Sequence, residues 1–311
     1  MMTDIASKIV AQAIVTVFET GRPIGAYDTV TSLPGDTGGL SYGKVQATRA
    51  GGLLGVLVRA YVEAPGALHA AALVAYVQRL QARDPACDGD AALNHLLRQA
   101  GTDPVMWRVQ DALAECAIWQ PAVALADRIG LASPLAHAIV YDSKVHGSFA
   151  RMRERTGERH GWPDAIGEQA WCLRYLEERR AWLAGHANPL LRTTVYRADT
   201  FLELAGRGQW QLALPLVVRG VRLDANVLGL PGGEPRPLRL AAPLMIGEDV
   251  RSLQLALVRA GRATDVDGVF GPATDRAVRA FQAAVGLVVD GVAGRLTLAA
   301  LSSASSVAEA A

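Results

Sequence analysis

Two carboxylates carry the clearest chemistry in this sequence. Glu19 stands at the end of an apolar helical run, and Asp36 stands in the turn "PGDTGG", both within "FETGRPIGAYDTVTSLPGDTGGLSYGKVQA" (18–47). Cutting a glycosidic bond between amino sugars takes two such groups. One is protonated and donates to the leaving oxygen; the other activates water or attacks carbon. Gly21 and Pro23 stop the helix just past Glu19. The negative end of the helix dipole disfavours an ionised carboxylate there, and partial burial beside Phe18 would act in the same sense. Asp36, in a solvated turn, would keep its charge. Unlike environments of this kind suit an acid and a base. Ser41 and Tyr42 follow on the next strand and could hold a water or a sugar hydroxyl. Aspartate and glycine also make turns for backbone reasons alone, so an exposed helix-end acid and a turn former explain the same residues.

The elements that must position these groups follow from periodicity. Ile5, Ile9, Ala13 and Val17, with Val10, Ile14 and Phe18 beside them, have helical spacing and predict a mature first helix, not a signal peptide. "TVTSL" and "LSYGKVQA", separated by "PGDTGG", predict a hairpin. Most of 53–220 reads helical, in runs such as "ALHAAALVAYVQRLQ", "VMWRVQDALAECAIWQPAVALADRIG" and "EQAWCLRYLEERRAWLAG". Gly101, Gly130 and Gly185 suit helix ends. The large domain is therefore expected to be mainly α with one small β-hairpin.

Further residues compete for roles around a cleft. "YDSKVHGSFARMRER" gathers Asp142, Lys144 and His146 ahead of a glycine, and these could line its far side; a helix ending in His-Gly reads equally as a C-terminal cap. Asp28 is a candidate third acid. Trp107, Trp119, Trp171 and Trp182 sit on helical patterns and are expected in the core rather than on sugar rings. "RMRERTGERH" reads as a solvated charged segment.

From Arg222 the texture changes. "LGLPGGEPRPLRLAAPL" is rich in proline and glycine and predicts an extended linker over 226–243, closing a catalytic domain of 1–225. Beyond it, "DGVFGPAT" and "DGVAGRLT" each make a tight turn ahead of a helix, giving three short helices with one small core. With "VRSLQLALVRAG" and "DRAVRAFQ", this stretch resembles the three-helix peptidoglycan-binding domain fused to many cell-wall hydrolases, over 244–302. The resemblance implies binding to wall glycan or stem peptide. "SSASSVAEAA" includes the expected tail, 303–311.

The first part carries a resemblance too. A Glu ending the first helix, an Asp in the following hairpin and a hydroxyl residue five positions later look like the lysozyme-like superfamily, an α+β fold. Within it the pattern is most similar to bacterial chitosanases of glycoside hydrolase family 46 and to phage-type lysozymes, over roughly 8–48. The resemblance implies Glu19 as general acid and Asp36 as the base that activates water. Ser41 stands where those families usually carry Thr to position that water. An inverting, endo-acting hydrolase would follow, its carboxyl groups roughly 6.5–9.5 Å apart.

Composition narrows the alternatives. The net charge of +1 removes the basic field of a nucleic-acid binder. No stretch is long and apolar enough to span a membrane. Three cysteines, far apart, give neither a disulfide framework nor metal spacing. No phosphate loop, zinc motif or nucleophilic-serine motif is present, so no cofactor and no metal are expected. The expected partner is a cell-wall polysaccharide, peptidoglycan or chitosan, met by a monomer outside the cytoplasm. No export signal is visible, and release through a phage-encoded pore, a specialised secretion system or a leader already removed would each account for that. Three functions remain: a peptidoglycan hydrolase of lysozyme or muramidase type tethered to its wall, a chitosanase, and a wall-binding protein with a dead catalytic domain.

Overall fold

The computed structural model describes residues 5–32 and 37–309. It is mainly α with few strands, as the periodicity predicts. Two compact units emerge: Met1–Ile24 with Cys116–Glu234, and Gly25–Glu115 with Pro235–Ala311. Compactness thus follows a different line from the linear order 1–225, 226–243, 244–302.

In the first unit the helix Ile5–Thr20 buries Val10, Ala11, Ile14, Val17 and Phe18 along one stripe. Gly21 ends it at φ +71°, and its N–H donates to the Val17 carbonyl at 2.9 Å. Only glycine enters that left-handed geometry without strain, which fixes Glu19 in the last turn. Pro134–His146 starts on the Ser133 cap with proline at its first position, and stops at Gly147, φ +90°. The His-Gly pair is therefore a cap, as one reading had it. Glu168–Ala184 places Trp171, Tyr175, Arg179 and Leu183 on its buried face, four residues apart. Tyr196–Gly206 adds Phe201 and Leu204 to the same core. An antiparallel pair, Leu216–Val218 with Val221–Leu223, lies where helix was expected. Leu216, Val218 and Leu223 join the core, so tertiary burial selects strand for this short apolar run.

In the second unit the expected hairpin is a three-stranded sheet of Val30–Thr31, Ser41–Tyr42 and Ala47–Thr48. "LSYGKVQA" does not run straight: Gly43, at φ +74°, turns it back on itself. Leu40, Tyr42 and Ala47 are buried with Leu54, Leu57, Leu93 and Met106 in a second core. The long helical run from Pro104 breaks at a π-helical turn, Glu115–Trp119, before Gln120–Asp127. Pro121 stands just past that turn, where a regular helix would lose a hydrogen bond.

The proline-rich stretch is held at both ends. Val227 and Leu228 are buried in the first core. Leu238 is buried in a third core and exchanges both backbone hydrogen bonds with Ala293, at 3.2 and 2.8 Å. That core holds Val250, Leu253, Leu257, Phe270, Val278, Phe281 and Leu301, whereas Val258, next to Leu257 on the same helix, is exposed. The sequence echo is a structural repeat. Gln254 Nε2 donates to Asp267, Val269 and Thr274, and its Oε1 accepts from Gly268 N. Gln282 repeats the pattern on Asp290, Val292, Thr297 and Gly291. All three cysteines are free thiols; Cys87 and Cys172 are buried.

Candidate active site

Glu19, the candidate acid, lies in the first unit, and its surroundings differ from the expected ones. Its side chain is about half exposed (47 %), not buried beside Phe18. What meets it is a cation, the Arg197 guanidinium, which donates to Glu19 Oε1. Arg197 is nearly buried and also donates to Asp142 at 2.6 Å. Asp142 has no exposed surface and takes a second guanidinium, Arg179, at 2.6 Å. Arg179 donates in turn to Ser148 Oγ at 3.1 Å. Two cations and two anions thus alternate from the core to the end of the first helix. Burying such charges is tolerable only when each is met by an opposite one and by hydrogen bonds.

The backbone beneath Glu19 is held as well. Tyr196 Oη donates to the Phe18 carbonyl at 2.9 Å. The Phe18 ring meets Tyr196 and Phe201 edge-on, at 5.7 and 5.5 Å, and Arg197 lies over its face. His146, half-buried, completes the cluster. Burial first, then the Arg197 and Arg179 charges, hold its imidazole below the ordinary 6.5, against the pull of Asp142 and Glu19.

Two sequence expectations are corrected by burial. Asp142 was a candidate sugar contact, but it is sealed between two arginines and supports Arg197 instead. Tyr42 was another; it is fully buried, burial pushes its phenol well above 10, and it is a core residue. Lys144 is exposed, and Asp28 is half-buried with its backbone packed against Gly101. Arg179 and Arg197 were not singled out from sequence. Their signal was present: each stands in a helix at the spacing of its buried aromatic neighbours, Tyr175 and Phe201.

In the second unit Ser41 sits on the middle strand, 7 % exposed, with Oγ 3.3 Å from both the Thr31 carbonyl and Gln46 Oε1. Its proton is taken within the sheet, so it offers a water a lone pair. Asp36 lies outside the described residues. The sheet's ends are pinned by two side chains. Buried Gln110 donates to the Tyr27 carbonyl at 2.8 Å and accepts from Lys44 N at 2.8 Å. Asp88 accepts from Leu40 N at 2.7 Å and from both Arg49 Nε and Nη2, at 2.5 and 2.8 Å. The Arg49 hydrogen bond is the main cause that holds the Asp88 carboxyl below the usual range. Among the described residues no cluster of His, Cys, Asp and Glu could hold a metal ion.

Comparison with known proteins identifies the family. The family model of glycosyl hydrolase family 46 matches residues 13–216. The chain belongs to glycosyl hydrolase family 46. A second model, the peptidoglycan binding domain, matches 246–301. A chitosanase of Bacillus subtilis (strain 168) is 31% identical over 123 residues, 35% of this chain and 44% of that protein. A zinc D-Ala-D-Ala carboxypeptidase of Streptomyces albus G is 48% identical over 54 residues, 16% of this chain and 21% of that protein. The matched parts therefore span less than half of either curated relative. Among solved structures, the native chitosanase of Bacillus subtilis MY002 superposes with TM-score 0.58 at 25% identity, covering 70% of this chain and 96% of that one. The family 46 chitosanase of Gynuella sunshinyii, in complex with chitotetraose, gives 0.59 at 25% identity, covering 71% of this chain and 98% of that one. Family membership makes glycoside hydrolase the enzyme class of the chain, with a peptidoglycan-binding domain joined to it.

Proposed function

We propose that the chain is an endo-acting hydrolase of β-1,4-linked glucosamine polymers of the chitosan type, and that residues 246–301 hold it at a cell wall. The observation that carries this is the family 46 match over 13–216, with Glu19 held at a helix end by the Arg197–Asp142–Arg179 chain. Glu19 serves as the general acid. Asp36 is the base that activates water, and Ser41 helps to hold that water. Asp28 and His146 contact the sugar. The guanidinium on Glu19 fixes the direction of its carboxyl, and Asp142 fixes the guanidinium, so the acid is oriented before substrate arrives. The action is outside the cytoplasm, where both polymers lie, and it proceeds without a cofactor.

The peptidoglycan-binding domain favours a second reading, in which the bond cut is in peptidoglycan itself. Zymography of the full chain on chitosan beside purified peptidoglycan separates the two. Clearing of chitosan alone supports the first reading, and clearing of peptidoglycan alone replaces it with the second. Clearing of neither would leave a wall-binding protein without activity.

A further inference from the structure

The wall-binding domain does more than hang from a linker. Arg251, on its helix Glu248–Arg259, is 3 % exposed. Its Nη2 donates to the carbonyl of Gly25 at 2.8 Å. Its guanidinium carbon lies 5.0 Å from the Tyr27 ring centre and 5.5 Å from that of Trp107, two rings stacked at 5.6 Å. Glu248, on the preceding turn, pairs with it. All these residues belong to the second compact unit. An arginine on a freely tethered domain would keep its charge in water. Arg251 instead gives up hydration for a carbonyl, two aromatic faces and one carboxylate, which is the mark of a fixed seat.

The seat is the entrance to the sheet that carries Ser41. Arg251 holds the Gly25 carbonyl, and Gln110 holds the Tyr27 carbonyl just beyond. Tyr27 Oη donates to Asp111 at 2.9 Å, and Lys44, past the middle strand, reaches the same carboxylate at 2.8 Å. The strand Val30–Thr31 follows directly. We infer that the wall-binding domain is a positioning part of the hydrolase, with Arg251 as the pin that fixes the base of the sheet. The inference rests on the reading of this sheet as the carrier of Ser41 in a glycoside hydrolase.

The test uses full-length Arg251→Met and Arg251→Lys with a soluble glucosamine hexamer, on which tethering gives no advantage. Misplacing a reacting group by about 1 Å costs up to about a hundred-fold, so kcat of Arg251→Met should fall between about ten- and a hundred-fold, with KM and sacculus binding within about two-fold. Backbone amides from 26 to 31 should exchange faster. Lysine, still able to reach the carbonyl and the rings, should restore most of the rate. Wild-type kcat and unchanged exchange in Arg251→Met would overturn the inference. If Arg251→Met loses sacculus binding, Trp107→Leu removes the seat from the other side and leaves the wall-binding domain intact; wild-type kcat and unchanged exchange in that variant overturn the inference equally. A wild-type chain that cuts neither polymer sinks the hydrolase reading, and the exchange of residues 26–31 still decides the pin.

Discussion

Asp142 shows what a buried charge demands. With no exposed surface and a guanidinium on each side, it is the neutralising centre of the cluster behind Glu19. Asp142→Asn removes that charge and leaves Arg179 and Arg197 facing each other, so it should destabilise the first unit by about 3–5 kcal/mol. Denaturant unfolding checks this, and a loss under about 1 kcal/mol would mean that water already reaches the pair. Glu19→Gln is a different kind of change. Its amide keeps the shape at a half-exposed position, so the fold and wall binding should hold while turnover drops by about a hundred- to ten-thousand-fold. Near-normal turnover removes Glu19 from the mechanism. Ser41→Ala should cost less than Asp36→Asn, because a lone pair that steadies a water assists the base without replacing it. The two carboxylates stand out in the sequence because a stop signal, Gly21 with Pro23, follows one and the glycine-rich stretch "PGDTGG" contains the other. The arginines were not, because a charge within a helical repeat reads as solvated until the partner 37 residues away is known to pack against it.

Glycine and glutamine do the corresponding work for whole elements. Gly43 needs its left-handed backbone for the turn between the second and third strands. It needs its missing side chain as well, since a Cβ there would lie 2.2 Å from Gln110 Oε1. Gly43→Ala should therefore displace Gln110, which accepts from the Lys44 N–H and donates to the Tyr27 carbonyl, and hydrogen exchange at the Lys44 amide should rise. In the first unit, the helices Phe149–His160 and Glu168–Ala184 are stitched by Glu178, which meets Arg155, Arg159 and His160. Burial alone would raise its carboxyl, but the His160 hydrogen bond and the Arg159 and Arg155 charges outweigh it and hold it below 4.5. A folded value below the unfolded one gives stability that is complete above pH 4.5 and is lost as the pH falls through the folded value. Glu178→Gln should thus flatten the acid limb of the stability curve below about pH 4.5 and leave the rest of its slope unchanged. "RMRERTGERH" looked merely solvated because this partner comes from a later helix.

At the scale of the molecule, periodicity disclosed the helices and the second domain, but the linker's composition misled. Proline and glycine forbid helix, and the stretch forms none; they do not forbid packing, and Val227, Leu228 and Leu238 are all buried. A cut near Arg222 would strip Leu223, Val227 and Leu228 from the first core, so a truncation meant to spare the hydrolase belongs after Glu234. The C-terminal part has a hydrophobic core of its own, closed by the Leu238–Ala293 pairing and by the two glutamine latches. Residues 235–311 should therefore fold alone and sediment with purified sacculi. The chain ending at Glu234 should lose its activity on insoluble wall material, because tethering raises local substrate concentration. The comparison that matters is with the soluble hexamer. A pure tether leaves that rate untouched, whereas the loss of Arg251 from the Gly25 carbonyl lowers it even where no surface has to be found. If 235–311 fails to sediment while the chain ending at Glu234 still does, the wall-binding role lies in the first 234 residues and not in the domain assigned to it.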